Sequence, residues 1–72
     1  MNMTVKEIQK ECRSLAREMG ATFKKHKYIT INSKPAYYII NRKTGEIIVE
    51  NCTLNSAYQN LLNGYVEERI QA

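Results

Sequence analysis

The first twenty residues carry their hydrophobic side chains at steps of three and four, the spacing of an amphipathic helix. Thr4 and Glu7 stand three residues apart, as in a capping box, where each side chain accepts a hydrogen bond from the other residue's backbone amide. Gly20 follows the last hydrophobic position and suits a left-handed helix end. We therefore predict one helix between Thr4 and Gly20. Its apolar stripe is Val5, Ile8, Cys12, Leu15, Ala16 and Met19.

From Ala21 onward the hydrophobic period changes to the alternation of a strand. YITIN predicts a first strand beginning near Phe23, and NSKP after it predicts a turn. AYYIINR and EIIVEN predict two further strands. The KTG between them fits a three-residue hairpin loop with Gly45 in the left-handed region. This segment thus predicts three consecutive antiparallel strands.

The predicted hairpin loop fixes the register of the second and third strands. One set of strand residues then meets the helices, and hydrophobic residues are left on the opposite, outer face of the sheet. The predicted pairs are Arg42 with Glu46, Ile40 with Ile48, Tyr38 with Glu50 and Ile39 with Val49. The residues predicted to meet the helices are Tyr37, Ile39, Ile47 and Val49.

Hydrophobic side chains on the outer face need an explanation, because small soluble proteins rarely leave a contiguous apolar patch unused. We predict that this face is an association surface for a homodimer, with a host protein as the alternative partner. The residues of this predicted association surface are Tyr28, Tyr38, Ile40 and Ile48.

Helical spacing returns after Asn51, which predicts a second helix with Thr53 as its N-cap and Gly64 as its stop. Residues 65–72 leave three alternatives open: a further turn of helix, a mobile tail, or a lid that folds over the outer face. The stripe of the second helix is Leu54, Ala57, Tyr58, Leu61 and Leu62.

The element order predicts an α+β fold of helix, three-stranded antiparallel sheet and helix (αβββα), with both helices on one face of the sheet. A chain of 72 residues predicts a single small domain over residues 1–72. No apolar run approaches the length of a membrane span, and we expect a cytoplasmic protein without membrane contact.

The residue inventory excludes many kinds of chemistry. The chain has no Asp, no Trp and one His, so it cannot form a Ser/His/Asp triad or a two-histidine metal motif. Cys12 and Cys52 lack metal-binding spacing, which leaves buried reduced thiols or a single disulfide as alternatives. We expect no enzyme activity, no metal and no cofactor.

Charge is concentrated in the middle of the chain. Residues 21–45 carry six basic residues and no acidic residue. Such a block attracts phosphate backbones, and the tyrosines within it can stack on unpaired bases. We predict a nucleic-acid-binding surface formed by Lys24, Lys25, Lys27, Lys34, Arg42 and Lys43.

Two resemblances bear on this prediction. In length and element order the chain resembles the HicA-family toxins, small mRNA-cleaving proteins that use one histidine. This resemblance implies His26 as an acid or base, although Lys24 and Lys25 stand where that family has Gly-Ser. The order of TFKKH, KPAYYIINRKTGEIIVEN and TLNSAYQNLLNGY resembles small accessory reading frames of phages and prophages, which implies a regulator or an inhibitor of a host or defence protein.

The second helix is unusual in carrying no charge. Its predicted far side offers only uncharged polar side chains, which are easier to desolvate than charged ones and suit a protein contact. The sequence therefore predicts a non-enzymatic binding module for nucleic acid. The alternative is a protein partner, bound by the outer face or by the second helix. The polar residues of that helix are Asn55, Ser56, Gln59, Asn60 and Asn63.

Overall fold

The computed structural model describes residues 3–71. The sheet is antiparallel, and its strand order β1-β2-β3 makes neighbours in sequence neighbours in space. The predicted α+β order of helix, three-stranded antiparallel sheet and helix is confirmed, and a short third helix follows it. The elements are α1 Val5–Met19, β1 Ala21–Ile31, β2 Lys34–Asn41, β3 Ile47–Cys52, α2 Leu54–Leu62 and α3 Tyr65–Gln71.

The predicted limits of α1 are confirmed by its caps. The Thr4 backbone amide donates to Glu7 Oε1 at 3.0 Å, and the Glu7 amide donates to Thr4 Oγ1 at 3.2 Å. Hydrogen bonding of the Glu7 carboxyl to Thr4, chiefly to the Thr4 backbone amide, lowers the pKa of that carboxyl below its usual value. Gly20 ends the helix with a φ of 86°, a left-handed conformation that costs glycine little.

β1 and β2 form a long hairpin whose ladder is interrupted. Asn32 and Ser33 turn the chain with φ angles of 53° and 65°. Near the start of β1, Lys25 lies opposite Tyr37, and near its end Thr30 lies opposite Pro35. Four residues of β1, 26–29, therefore stand across from Ala36 alone, and this segment bulges from the regular ladder.

The loop between β2 and β3 corrects the predicted three-residue hairpin. The Asn41 amide donates to the Glu46 carbonyl at 2.8 Å, so four residues, 42–45, form the loop, and Arg42 does not pair with Glu46. The Asn41 side-chain oxygen holds the loop by accepting from the amides of Lys43 at 2.9 Å and Thr44 at 3.4 Å. Gly45 has the predicted left-handed conformation, with a φ of 79°.

The register beyond this loop is also corrected. Ile39 faces Val49 as predicted, but Ile40 faces Ile47 and not Ile48. The ladder shifts again before Tyr37, which lies opposite Cys52, so the predicted pair of Tyr38 with Glu50 is not among the ladder pairs. Two bulges in β3 explain both differences, because each adds a residue to one strand alone.

The shifts exchange the predicted faces of two isoleucines. Ile47, predicted to meet the helices, is 53 % exposed. Ile48, predicted to lie on the outer face, packs against the core. Val49 also contacts the core, so this stretch of β3 places two successive residues on the helix side.

One hydrophobic cluster joins the helices to the sheet. Phe23 and Tyr37 stack within it, with their ring centroids 5.1 Å apart and nearly parallel. Burying each large aliphatic side chain stabilises the fold by about 1.5–3 kcal/mol relative to leaving it in water. The cluster contains Cys12 and Ala16 of α1, Ala21 and Phe23 of β1, Tyr37, Ile39 and Cys52 of the sheet, Ala57 and Leu61 of α2, and Val66 of α3.

The C-terminal helices complete this cluster. Thr53 caps α2 as predicted by accepting from the Ser56 amide at 3.1 Å. Asn63 is the C-cap, and the predicted stop, Gly64, follows it in the left-handed conformation with a φ of 86°. Val66 of α3 is fully buried in the cluster and Ile70 packs against it. α3 therefore packs with the other helices and is not a lid on the outer face. None of the helices within residues 3–71 is long and apolar enough to cross a membrane.

Candidate functional site

The outer face of the sheet is set by alternation with the core residues. Phe23, Tyr37 and Ile39 are buried in the cluster, so their strand neighbours point the other way. Across β1 and β2, Lys24 lies opposite Tyr38 and Thr22 lies opposite Ile40. Paired residues share a face, and the outer face is therefore formed by Thr22, Lys24, Tyr38, Ile40 and the exposed Ile47.

Aromatic rings stand on this face without being buried in the core. The ring of His26 lies over that of Tyr38, with centroids 4.4 Å apart and planes tilted by 33°. Tyr28, two residues further along β1, is 91 % exposed in the bulged segment. An aromatic side chain left in water gives up the stabilisation of burial, so its exposure is a candidate sign of binding.

The association surface predicted from the sequence is therefore changed in one member. Tyr38 and Ile40 lie on the outer face, and Tyr28 is exposed beside it. Ile48 does not belong to this surface because it packs against the core. Ile47 takes its place opposite Ile40.

The six basic residues predicted to bind nucleic acid do not lie on one continuous surface. Lys24 points to the outer face, whereas Lys25 lies opposite the buried Tyr37 on the helix side. Lys34 is at the start of β2, and Arg42 and Lys43 follow its far end, roughly 26 Å away at the usual rise of a strand. Lys27 is exposed in the bulged segment beside His26.

Arg42 belongs to a cluster that the sequence did not indicate. Its backbone amide donates to the Gly20 carbonyl at 3.1 Å, and its Nη2 donates to the Arg17 carbonyl at 3.5 Å. Arg13, Arg17 and Arg42 together line a cavity of about 150 Å³ beside the start of β1. Arg13 and Arg17 were not found from the sequence because their position next to Arg42 depends on the tertiary packing of α1.

The two cysteines are free and buried, which is the first of the two alternatives that the sequence left open. Burial raises the pKa of Cys12 to about 11, and the nearby Cys52 adds to this shift. Burial also raises the pKa of Cys52, whose Sγ donates to the Tyr37 carbonyl at 3.4 Å. These thiols are therefore poor nucleophiles at neutral pH. Within residues 3–71 no group of three or more His, Cys or Glu side chains converges as metal ligands do.

Some of the uncharged polar side chains at α2 form hydrogen bonds to nearby backbone groups. Asn60 Nδ2 donates to the Ser56 carbonyl at 2.9 Å, and Asn63 Oδ1 accepts from the Tyr65 amide at 2.9 Å. Asn55 lines a groove at the start of the helix. Gln59 is exposed. This side of α2 is therefore a polar surface on which the side chains of Asn60 and Asn63 are already hydrogen-bonded.

Comparison of the chain with protein-family models, with curated proteins and with solved structures gives no match.

Proposed function

We propose that this chain is a small non-enzymatic binding module that contacts single-stranded nucleic acid through the outer face of its sheet. The observation that carries the proposal is the pair of His26 and Tyr38, whose tilted rings lie half-buried against each other on the outer face next to Lys24. Nucleic-acid bases stack on exposed rings while lysines hold the phosphates between them, a combination typical of single-strand binding.

The charge distribution supports a path for the strand along one side of the sheet. Lys24 and Lys27 are exposed on β1, whereas Glu46 precedes β3 and Glu50 lies on it, both exposed. A phosphate backbone would be attracted to the β1 side and repelled from the β3 side. Its bases would then lie over β1 and β2, where the rings of His26, Tyr28 and Tyr38 are found.

The test is a titration of a fluorescently labelled single-stranded oligonucleotide of about 12 nucleotides, as RNA and as DNA, followed by anisotropy. We expect Tyr28→Ala to weaken binding roughly five-fold or more, because a stacked base contributes about 1–3 kcal/mol. We expect Lys24→Met to weaken binding and to reduce the slope of log affinity against log salt by about one. Tyr28 is 91 % exposed, so its removal leaves the core intact.

Matched controls are available on the helices. Tyr65→Ala removes a partly exposed tyrosine from α3, and Lys10→Met removes an exposed lysine from α1. Both should bind like the unaltered chain. If neither Tyr28→Ala nor Lys24→Met differs from its control, or if binding does not weaken as salt rises, the outer face is not a nucleic-acid site.

Self-association through the outer face is a second candidate function. Ile47 is 53 % exposed opposite Ile40, which gives this face an apolar centre between a basic β1 side and an acidic β3 side. In a two-fold dimer the basic side of one copy can meet the acidic side of the other. Complementary sides around an apolar centre would favour such a pair.

Sedimentation of the unaltered chain and of Ile47→Lys at several concentrations tests this candidate. We expect the average molecular mass of the unaltered chain to rise with concentration and the variant to stay monomeric. The symmetry of the interface would bury the lysine of one copy close to the same lysine of the other, and the two charges repel. A chain that stays monomeric at high concentration excludes the dimer. It would not affect the nucleic-acid proposal, which needs one copy of the face.

A further inference from the structure

A groove lies on the helix side of the sheet, where the first turns of α1 and α2 meet the β1–β2 hairpin. Its volume is about 570 Å³, within the range of about 300–1,000 Å³ that is common for small-molecule sites. Most of its wall is apolar, formed by Val5, Ile8, Ile31, Pro35 and Leu54. Val5 is 59 % exposed, so this wall is open to solvent.

The polar groups of the groove are cationic or neutral. Lys25 and Lys34 both line it, and no carboxylate is present among its lining side chains within residues 3–71. Lys25 points to this side because it lies opposite the buried Tyr37. Two ammonium groups beside an apolar wall leave the site with an uncompensated positive charge, which an anion can neutralise.

A hydrogen-bonded pair adds a polar point inside the groove. Gln9 Nε2 donates to the Tyr37 hydroxyl at 2.9 Å, and both residues line the groove. Because the hydroxyl accepts this bond, its own proton is available to an acceptor. α1 and α2 also begin at the groove, and the partial positive charge of helix starts has the same sign as the two lysines.

We propose that this groove binds a small amphipathic anion, an aliphatic chain that ends in a carboxylate. The chain lies against Val5, Ile8 and Leu54, and the carboxylate is held by Lys25 and Lys34. A neutral ligand of the same length leaves both ammonium groups unpaired, and a short anion leaves the apolar wall in water. Selectivity therefore requires both parts of the ligand. The site is separate from the outer face and does not depend on the proposed nucleic-acid contact.

Decanoate is a suitable probe, with decanol as the uncharged ligand of equal length and acetate as the anion without a chain. Backbone amide shifts measured by NMR below the micelle concentration report both affinity and location. We expect saturable shifts at Lys25, Tyr37 and Leu54 with decanoate, binding of decanol weaker by about five-fold or more, and no saturation with acetate.

Two matched variants separate the charge of the groove from the charge of the protein. Val5→Glu places a carboxylate in the groove, at a helix start where acidic residues favour folding. Ser14→Glu makes the same change in net charge at an exposed position of α1 outside the groove. Like charges repel, so we expect Val5→Glu to weaken decanoate binding by about ten-fold and Ser14→Glu to leave it unchanged.

A second pair of variants tests the lysines. Lys25→Met with Lys34→Met should abolish the preference for decanoate over decanol, while Lys24→Met, on the outer face, should preserve it. The amide spectrum of each variant shows whether it is folded. The proposal is overturned if decanoate does not saturate, if its shifts fall at Thr22 and Ile40, or if Val5→Glu and Ser14→Glu bind equally.

Discussion

Ile40 lies opposite Ile47 across β2 and β3, one residue away from the partner that a regular ladder through Ile39 and Val49 would give it. This shift of one residue determines that Ile47, and not Ile48, lies on the outer face of the sheet. Ile48 packs against the core, and Ile47 is 53 % exposed beside Ile40. The apolar centre of the outer face therefore exists because of a bulge in β3.

Substitution of the two neighbouring isoleucines by lysine tests this shift directly. Ile47→Lys should change the free energy of unfolding by no more than about 1 kcal/mol, because the side chain stays in water. Ile48→Lys should cost at least about 2 kcal/mol, because an ammonium group would be forced against the core. Urea denaturation of both variants and of the unaltered chain measures the difference.

The two variants have equal charge and adjacent positions, so each is the control for the other. Measurement at low protein concentration keeps any self-association from contributing to the result. A regular ladder predicts the opposite order, with Ile47→Lys the more damaging variant. That order, or equal destabilisation of the two, would contradict the bulge.

Local signals in the sequence predicted the elements because their causes are local. Thr4 with Glu7, Gly20 and Thr53 act within one helical turn, and each cap is where the spacing of the chain placed it. The left-handed conformation of Gly45 could likewise be predicted, because a hairpin loop requires a residue in that conformation. The third helix was left open because Val66 and Ile70 give too short a stripe, and its burial depends on α1, α2 and β3.

The candidate site was less predictable because it depends on register. The sequence correctly placed Tyr38 and Ile40 on the outer face of the sheet. A bulge, however, displaces side chains without leaving a clear mark in the alternation of EIIVEN. The bulge at residues 26–29 likewise contains no Gly or Pro from which it could have been predicted. Lys24 and Lys25 are adjacent in sequence but lie on opposite faces of the sheet. The number of basic residues in a segment therefore does not show which of them share a surface.

The turn between β1 and β2 carries removable backbone strain. Ser33 has a φ of 65°, a left-handed conformation that costs a side chain with a Cβ atom about 1–2 kcal/mol. Ser33→Gly removes this cost but makes the unfolded chain more flexible, at about 0.4–1 kcal/mol. We expect a net stabilisation of about 0.5–1 kcal/mol and a rise in Tm of roughly 2–8 °C by calorimetry.

The preceding residue supplies the control for this prediction. Asn32 also has a positive φ, of 53°, but asparagine tolerates the left-handed region better than serine. Asn32→Gly should therefore change Tm less than Ser33→Gly does. A Tm that falls in Ser33→Gly would show that the serine side chain stabilises the turn in the folded state.

The buried thiol of Cys12 should make the protein less stable at alkaline pH. Its pKa is near 9 in an exposed chain and is raised to about 11 in the fold, chiefly by burial. Between these values the folded state keeps a proton that the unfolded state has lost. The contribution of the thiol to stability is therefore complete below about pH 9 and decreases as pH rises toward 11.

Cys12→Ala removes this titration, and its comparison with the unaltered chain isolates it from the lysines and tyrosines that titrate in both. We expect the variant to be less stable than the unaltered chain at pH 8, because the substitution leaves a cavity. The difference between their free energies of unfolding should decrease by about 1 kcal/mol between about pH 8 and about pH 10. Val66→Ala, a cavity in the same cluster without a titrating group, should show a difference that does not change with pH. Free energies of unfolding from urea titrations at each pH give both differences. A constant difference for Cys12→Ala would mean that the thiol titrates alike in the folded and unfolded states, which its full burial in the cluster opposes.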